Sequence, residues 1–294
     1  MAAITVHLVD GTYELYRQHF GQASHQSSST KYAATVGVLT STLVLLEAGA
    51  THVAVATDHV IESFRNQLWH GYKTGDSMEP EILEQIPIVE RALDQLGVVV
   101  WPMVEYEADD ALASGARVAR ENTAVKQVRL LTPDKDLGQC VAGTRVVQVD
   151  RRNNVIIDEQ AVINKFGVGP ASIADYLGLV GDSADGFPGL PGWGAKSAAT
   201  VLAKYQHIHH IPDDHRAWDV TVRGAKKLAA TLCGQRELAE LFKKVATVVE
   251  SVPVGSVDEW QWRGPHADFE RAFDEIGAAR LVERVDQLAS RRLR

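Results

Sequence analysis

Nine acidic residues stand where they could do chemistry together. Asp10, Asp58 and the pair Asp134/Asp136 each follow a short apolar run of strand character, and Glu107, Asp109 and Asp110 (EADD) open a helical stretch directly after another such run. Asp182 and Asp185 lie further on, in a glycine-rich segment. The strands of a parallel α/β sheet all end on one side, and ligands bind at that edge, so acids at strand ends are expected to converge on one rim. The i, i+2 spacing of DKD points both carboxylates the same way from an extended segment. The i, i+3 spacing of Glu107 and Asp110 puts them on one helix face. Crowded carboxylates repel unless cations neutralise them. Oxygen-only donors favour hard ions, Mg²⁺ or Mn²⁺, over zinc. Two such ions about 4 Å apart form a clamp for in-line phosphodiester hydrolysis, one activating water and one stabilising the leaving oxygen. Taken singly, each Asp reads as a turn residue or cap and EADD as a complement to a helix dipole. Four coincidences at successive strand ends favour the metal site.

A second pattern suits a phosphate backbone. In residues 181–202 (GDSADGFPGLPGWGAKSAATVL), Gly189, Gly192 and Gly194 punctuate two short turns, and a helix begins at about Ser197. Glycines let backbone N–H groups approach a phosphate, and a helix N-terminus points at it. Lys196 adds positive charge without base specificity. The competing reading is a Gly/Pro loop between two core helices. Phe64 to Tyr72 (FRNQLWHGY), followed by Lys73, interleaves rings and bases as a single-stranded nucleic acid requires; the alternative is an amphipathic helix with a buried Trp69. For the cluster HIHH at 207–210, a solvated turn is favoured over a metal site, because no partner stands at ligand spacing.

The elements that must position these groups alternate through the first half. Strand signals at Ile4–Val9, His52–Ala56, Val98–Trp101 and Val128–Leu131 are separated by helical patterns at Tyr32–Ala48, Pro80–Leu96 and Ala108–Arg120. Arg145–Val149 and Val155–Ile157 read as a terminal hairpin, and His25–Thr30 (HQSSST) as a mobile loop. This order predicts an α/β domain with a mostly parallel central sheet over residues 1–158. Beyond it, residues 159–294 read as a helical region. With 45% apolar and 23% charged residues, the chain is an ordinary globular one and not a disordered one. No run is apolar enough to span a membrane and no signal peptide is evident. Cys140 and Cys233 form no CxxC pair, so a disulfide framework is not expected and a cytoplasmic location is. The net charge of −8 argues against a general nucleic-acid binder, but setting nine of the 38 acids aside as cation ligands leaves 29 against 30 Lys plus Arg.

LVDGTYELYR (8–17), DHVIESFR (58–65), GYK (71–73), EYEADD (105–110), TPDKDL (132–137) and GDSADGFPGLPGWGAKSA (181–198) together resemble the bacterial 5′–3′ exonuclease and flap endonuclease family, which includes the N-terminal nuclease domain of DNA polymerase I and phage 5′ nucleases. VRGAKKLAATL (222–232) and the stretch 269–288 extend the likeness over almost the whole chain, and no residues remain for a polymerase, as in a free-standing nuclease. The resemblance implies a PIN-like nuclease core with a helical arch around 62–90 and a helical region carrying a helix–three-turn–helix element. It places Asp10, Asp58, Glu107, Asp109, Asp110, Asp134, Asp136, Asp182 and Asp185 around two or more Mg²⁺ or Mn²⁺ ions, with the last four at the outer edge. It matches Lys73 and Arg65 to bases that engage the scissile phosphate, and Arg17 and Tyr72 to substrate contacts. It assigns Gly189, Gly192, Gly194, Lys196 and Ser197 to the duplex-gripping element, where backbone carbonyls hold K⁺. The implied activity is structure-specific 5′–3′ exonuclease and 5′-flap cleavage of DNA with flaps, overhangs or nicks, by a nucleoid-associated monomer, with RNA–DNA hybrids a further substrate. Two departures stand out. Thr74-Gly75-Asp76 follows GYK where the family carries Ala-Asn-Arg, which puts threading of the strand in question, and Gly186 replaces an Asn. The competing readings are a DNA-binding protein without catalysis, against which all nine acids count, and an RNA-cleaving PIN-like nuclease.

Overall fold

Short β-branched runs alternate with amphipathic segments, and each becomes the element its period requires. The computed structural model describes residues 3–23 and 31–292; the expected loop at His25–Thr30 lies outside them. In chain order the elements begin with β1 (Ile4–Asp10), α1 (Gly11–Ala23), α2 (Ala33–Glu47), β2 (His52–Asp58), α3 (Phe64–Leu68), α4 (Pro80–Leu83) and α5 (Ile86–Gln95). There follow β3 (Val99–Met103), α6 (Ala108–Glu121), β4 (Val125–Leu131), β5 (Val146–Asp150), β6 (Val155–Ile157), α7 (Glu159–Phe166) and α8 (Ile173–Val180). The last are α9 (Ala195–Tyr205), α10 (Ala225–Gly234), α11 (Arg236–Ala246), α12 (Phe269–Glu275) and α13 (Val282–Arg292). No helix among the described residues is long and apolar enough to cross a membrane. The contacts divide the chain into two compact units that interleave along the sequence: residues 1–61, 75–132 and 250–294 form one, and residues 62–74 and 133–249 form the other.

In the first unit four strands run parallel in the order β3-β2-β1-β4. β2 is apolar from Val53 to Ala56 because helices cover both faces of such a sheet; those four residues are at most 1% exposed. The core is filled by Leu39 and Leu43 of α2, Val89 and Leu93 of α5, and Phe269 and Phe273 of α12. The segment 80–96, expected as one helix, is two. Pro87 carries no N–H to donate to the Leu83 carbonyl and its ring crowds that carbonyl, so the helix stops at Leu83 and restarts at Ile86. The apolar face is kept nonetheless: Ile82, Ile86, Val89, Leu93 and Leu96 are all buried. β1 turns into α1 with no loop at Gly11, where an added Cβ would stand 2.7 Å from Val55 Cγ1 and 2.8 Å from the Ala56 carbonyl. That close approach requires glycine, and it holds Asp10 at the strand's end.

The second unit is helical apart from the antiparallel β5–β6 pair. α8 packs closely on α11 through Gly178, whose Cβ position lies 2.9 Å from the Ala239 carbonyl. Buried Asp175 ties the packing together. It accepts from the Ile208 N–H at 2.8 Å and pairs with Lys243 Nζ at 2.8 Å and His207 Nδ1 at 2.9 Å. His207, the first residue of HIHH, is thereby a packing partner of a carboxylate.

Candidate metal centre

In the first unit the chain delivers five acids to the C-terminal ends of strands. Asp10 ends β1; its Oδ1 accepts the Tyr13 N–H at 2.8 Å and its Oδ2 accepts the Thr132 hydroxyl at 3.0 Å. Asp58 ends β2. Its N–H donates to Thr12 Oγ1 and its Oδ1 accepts the Ala108 N–H, both at 2.8 Å, so it satisfies an orphan donor at the start of α6. At that helix start, Asp110 turns back so that its Oδ2 accepts the Glu107 N–H at 3.0 Å. Glu107 and Asp110 are buried and Asp109 is half-buried. The capping role that the sequence offered as an alternative for these acids is thus real, and each carboxylate retains further oxygen lone pairs.

In the second unit, donor oxygens of Asp136, Asp182 and Asp185 lie within 4.8 Å of one another, the one such group of His, Cys, Asp or Glu among the described residues. Asp134, exposed, caps the turn by accepting the Asp136 N–H at 2.9 Å. Asp182 and Asp185 are carried by a tight loop closed by the Asp182 and Phe187 backbones (2.8 and 3.0 Å). Lys73 grips this loop twice, with its N–H on the Asp185 carbonyl at 3.1 Å and its Nζ 3.0 Å from Asp185 Oδ1. Lys135, between the two acids of DKD, is ion-paired with Asp182.

The electrostatics follow from crowding under burial. Burial, and then the Asp134 and Asp185 charges, push Asp136 well above the ordinary carboxylate range against the pull of Lys135. Asp185 is raised first by burial and further by Asp182 and Asp134, with Lys73 opposing. Burial alone would lower Lys135; its bond to Asp182 and the charges of Asp136, Asp182 and Asp134 outweigh that and raise it. Asp136 Oδ1 is buried without a hydrogen-bond partner. An unsatisfied anionic oxygen facing two other carboxylates fits a hard divalent cation, and the all-oxygen donor set fits it equally.

The expected substrate contacts fare differently. Arg65 is 3% exposed, and its guanidinium donates to the Val245 carbonyl at 2.8 Å and the Thr247 carbonyl at 3.0 Å. It braces the chain after α11 and is not displayed towards solvent. Tyr72 is buried in the apolar core of its unit, where its ring offers no surface for a base. Arg17 is half-buried and forks onto buried Glu14 at 2.6 and 3.2 Å. Of the glycines, Gly189 (φ +67) is structural: its Cβ position is 2.4 Å from Gly181 N and Val180 C. Gly192 and Gly194 face open space, and Lys196 is exposed in the first turn of α9. Ser197 Oγ accepts the Gly194 N–H at 3.0 Å, closing the start of that helix. The sequence reading missed the groups that fix the acids: Thr132 and Lys135 on the Asp10 and Asp182 carboxylates, Thr12 on the Asp58 N–H, and Gln148, whose Nε2 donates to the Asp134 backbone carbonyl at 2.5 Å. Lys135 carried a signal, a cation between two candidate ligands; the others carried none.

A family model described as the 5′-3′ exonuclease N-terminal resolvase-like domain matches residues 5–167, and one described as the 5′-3′ exonuclease C-terminal SAM fold matches residues 168–268. The chain is 30% identical to DNA polymerase I of Bacillus caldotenax over 291 residues, covering 96% of this chain and 32% of that protein, so it spans about a third of the polymerase's length. It is 31% identical over 210 residues to the 5′-3′ exonuclease of Aquifex aeolicus, covering 70% of this chain and 72% of that one. Among solved structures, the T5 5′-exonuclease with bound zinc ions matches with a TM-score of 0.64 at 15% identity, over 97% of this chain and 98% of that one. The catalytic core of Rad2 in complex with DNA substrate (TM-score 0.62, 16%, over 98% and 93%) and flap endonuclease-1 from Methanococcus jannaschii (0.60, 16%, over 98% and 93%) share the fold.

Proposed function

The chain belongs to the 5′–3′ exonuclease family, and from that premise we propose that it is a structure-specific 5′ nuclease that hydrolyses DNA phosphodiesters with divalent metal ions. The observation that carries the reading is the buried trio Asp136, Asp182 and Asp185, with Asp136 Oδ1 left unpaired. Mg²⁺ or Mn²⁺ ions held by Asp10, Asp58, Glu107, Asp109 and Asp110 in one unit and by Asp134, Asp136, Asp182 and Asp185 in the other would supply Lewis acidity and offset the charge on the phosphate.

The remaining work falls to this chain's own side chains. The Thr132 hydroxyl, donating to Asp10 Oδ2, and the Ala108 N–H, donating to Asp58 Oδ1, hold these two carboxylates in orientation, which keeps their outer oxygens aimed. Lys73, fixed by Asp185, brings a cation to the scissile phosphate. The open backbone at Gly192 and Gly194, the start of α9 and Lys196 grip the sugar-phosphate backbone of a duplex, so that recognition is of structure and not of sequence. Backbone carbonyls of the same element hold K⁺. The substrates are duplexes with 5′ flaps, 5′ overhangs or nicks, including RNA paired to DNA. The products carry a 5′-phosphate and a 3′-hydroxyl. The protein acts as a monomer in the cytoplasm, on the nucleoid.

Incubation with a 5′-flap duplex in Mg²⁺, Mn²⁺ or EDTA tests this reading. Cleavage that needs the metal is expected, and Asp134→Asn should abolish it while sparing duplex binding. Duplex binding without cleavage in any divalent metal would leave a DNA-binding protein without catalysis.

A further inference from the structure

The sheet of the first unit carries a second polar site at the ends of its strands opposite to the acids. In the parallel register Val9 stands beside Leu131, His7 beside Arg129 and Thr5 beside Gln127, so these six side chains share one face. Val9 and Leu131 belong to the core. The two ranks below them are polar, although the same face is the one that the apolar residues of α2 cover further along. Polar groups on a helix-covered face cost free energy unless something hydrogen-bonds them. Here α2 ends, and Thr5, His7 and Arg129 line a hollow of about 500 Å³ together with Leu45, Ala48 and His52.

The charge of the hollow is one-sided. No acidic residue lines it, in a chain whose net charge is −8. Arg129 donates through Nε to Gln127 Oε1 at 2.8 Å, and it makes no ion pair with a carboxylate among the described residues. An arginine fork without an acid, in a hollow of ligand size, matches a phosphate in shape and charge. His52 stands beside Val6, on the other face of the sheet, and burial lowers its pKa against the pull of Asp258, so the positive charge of the hollow comes chiefly from Arg129. Leu45 and Ala48 form an apolar wall beside it, suited to the rest of a small organic phosphate.

We propose that this hollow binds a phosphate monoester of about mononucleotide size, with the Arg129 guanidinium on the phosphate. The site stands apart from the acid groups of the same unit and does not depend on the nuclease reading.

The test is calorimetric titration of the full chain in EDTA, where the acid groups repel anions, using inorganic phosphate and deoxyadenosine 5′-monophosphate as separate probes. Saturable one-to-one binding is expected. A monophosphate that binds more tightly than inorganic phosphate identifies an organic ligand seated on the Leu45 wall; equal affinities overturn the monoester and leave a site for the free anion. Arg129→Gln should weaken binding at least tenfold. Ala48→Phe places a ring at the exposed mouth of the hollow, should block the monophosphate, and should leave the unfolding midpoint unchanged. If Arg129→Gln fails to fold, Ala48→Phe carries the decision. No saturable binding of either probe at millimolar concentrations overturns the proposal, as does binding that survives the variants unchanged.

Discussion

Removing one negative charge from the acid trio should stabilise the metal-free protein. Asp136→Asn keeps the side chain's shape, and because Asp136 Oδ1 has no hydrogen-bond partner, no bond is lost at that atom. At an effective dielectric constant of about 20, unit charges separated by the 4.8 Å that bounds the trio repel by roughly 3.5 kcal/mol, so Asp182 and Asp185 together oppose the Asp136 charge by roughly 7 kcal/mol. Asp134 and burial add to this opposition and Lys135 offsets part of it, and with Lys73 neutralising Asp185 the net gain for the Asn variant is on the order of 2 kcal/mol. The pH dependence has a definite sign. Asp136 is raised in the folded state, so the folded chain holds that proton to higher pH than the unfolded chain. Its contribution to stability therefore falls as pH rises from the ordinary carboxylate range through its own raised value, and the full penalty is present above that value. The variant lacks this loss. The stability difference should be near zero at the acid end and widen with pH, by at most about 1.4 kcal/mol per pH unit for a single proton. Urea unfolding of both proteins in EDTA across a pH series measures it. With saturating Mn²⁺ the order should reverse, since a ligand at 100 times its Kd adds about 2.7 kcal/mol to the form that binds it. An Asn variant less stable than the parent in EDTA at pH 8, or a difference flat in pH, would refute the electrostatic account of the trio.

Arg65→Ala should act on stability. Loss of two charge-assisted bonds to the Val245 and Thr247 carbonyls costs about 3 kcal/mol or more, a fall in Tm of roughly 6–12 °C, whereas an unchanged Tm with lost cleavage would favour the phosphate contact expected from sequence. Gly189→Ala should lower the urea midpoint far more than Gly192→Ala. Both glycines have positive φ, a penalty of about 1 kcal/mol for alanine, but only Gly189 meets backbone atoms 2.4 Å from the added Cβ; equal losses would contradict the packing. Lys196→Ala should leave folding intact, weaken duplex binding and reduce the slope of log K against log salt by about 1; an unaltered slope in a salt titration would remove Lys196 from the DNA contact.

The chain's local periodicities were sufficient for the strands of the first unit and for α2 and α6, but not for α1 or for the break between α4 and α5. Apolar runs closing on Asp10 and Asp58 are β1 and β2, and EADD needed no distant partner to be read as strand-end chemistry, because side-chain alternation and turn residues are properties of neighbours along the backbone. DKD and GDSAD each present paired carboxylates at short spacing, so both were read as candidate ligands; that Asp136, Asp182 and Asp185 lie within 4.8 Å of one another belongs to the fold. What the tertiary structure decided depends on residues far apart in sequence. Arg65 reads as a surface base in FRNQ, yet carbonyls some 180 residues later bury it. Tyr72 beside Lys73 reads as a stacking platform, yet it fills a core. Gly189 and Gly192 look alike in GLPG, and only the backbone packed against Gly189 separates them. Residues 250–294 carry helical signals much like those before them, but they return to the sheet of the first unit, where Trp262 Nε1 donates to the Leu96 carbonyl at 2.8 Å. Burial and long-range hydrogen bonding are sums over the whole folded chain, so no window of sequence contains them, whereas the sites where charge must be neutralised are written locally.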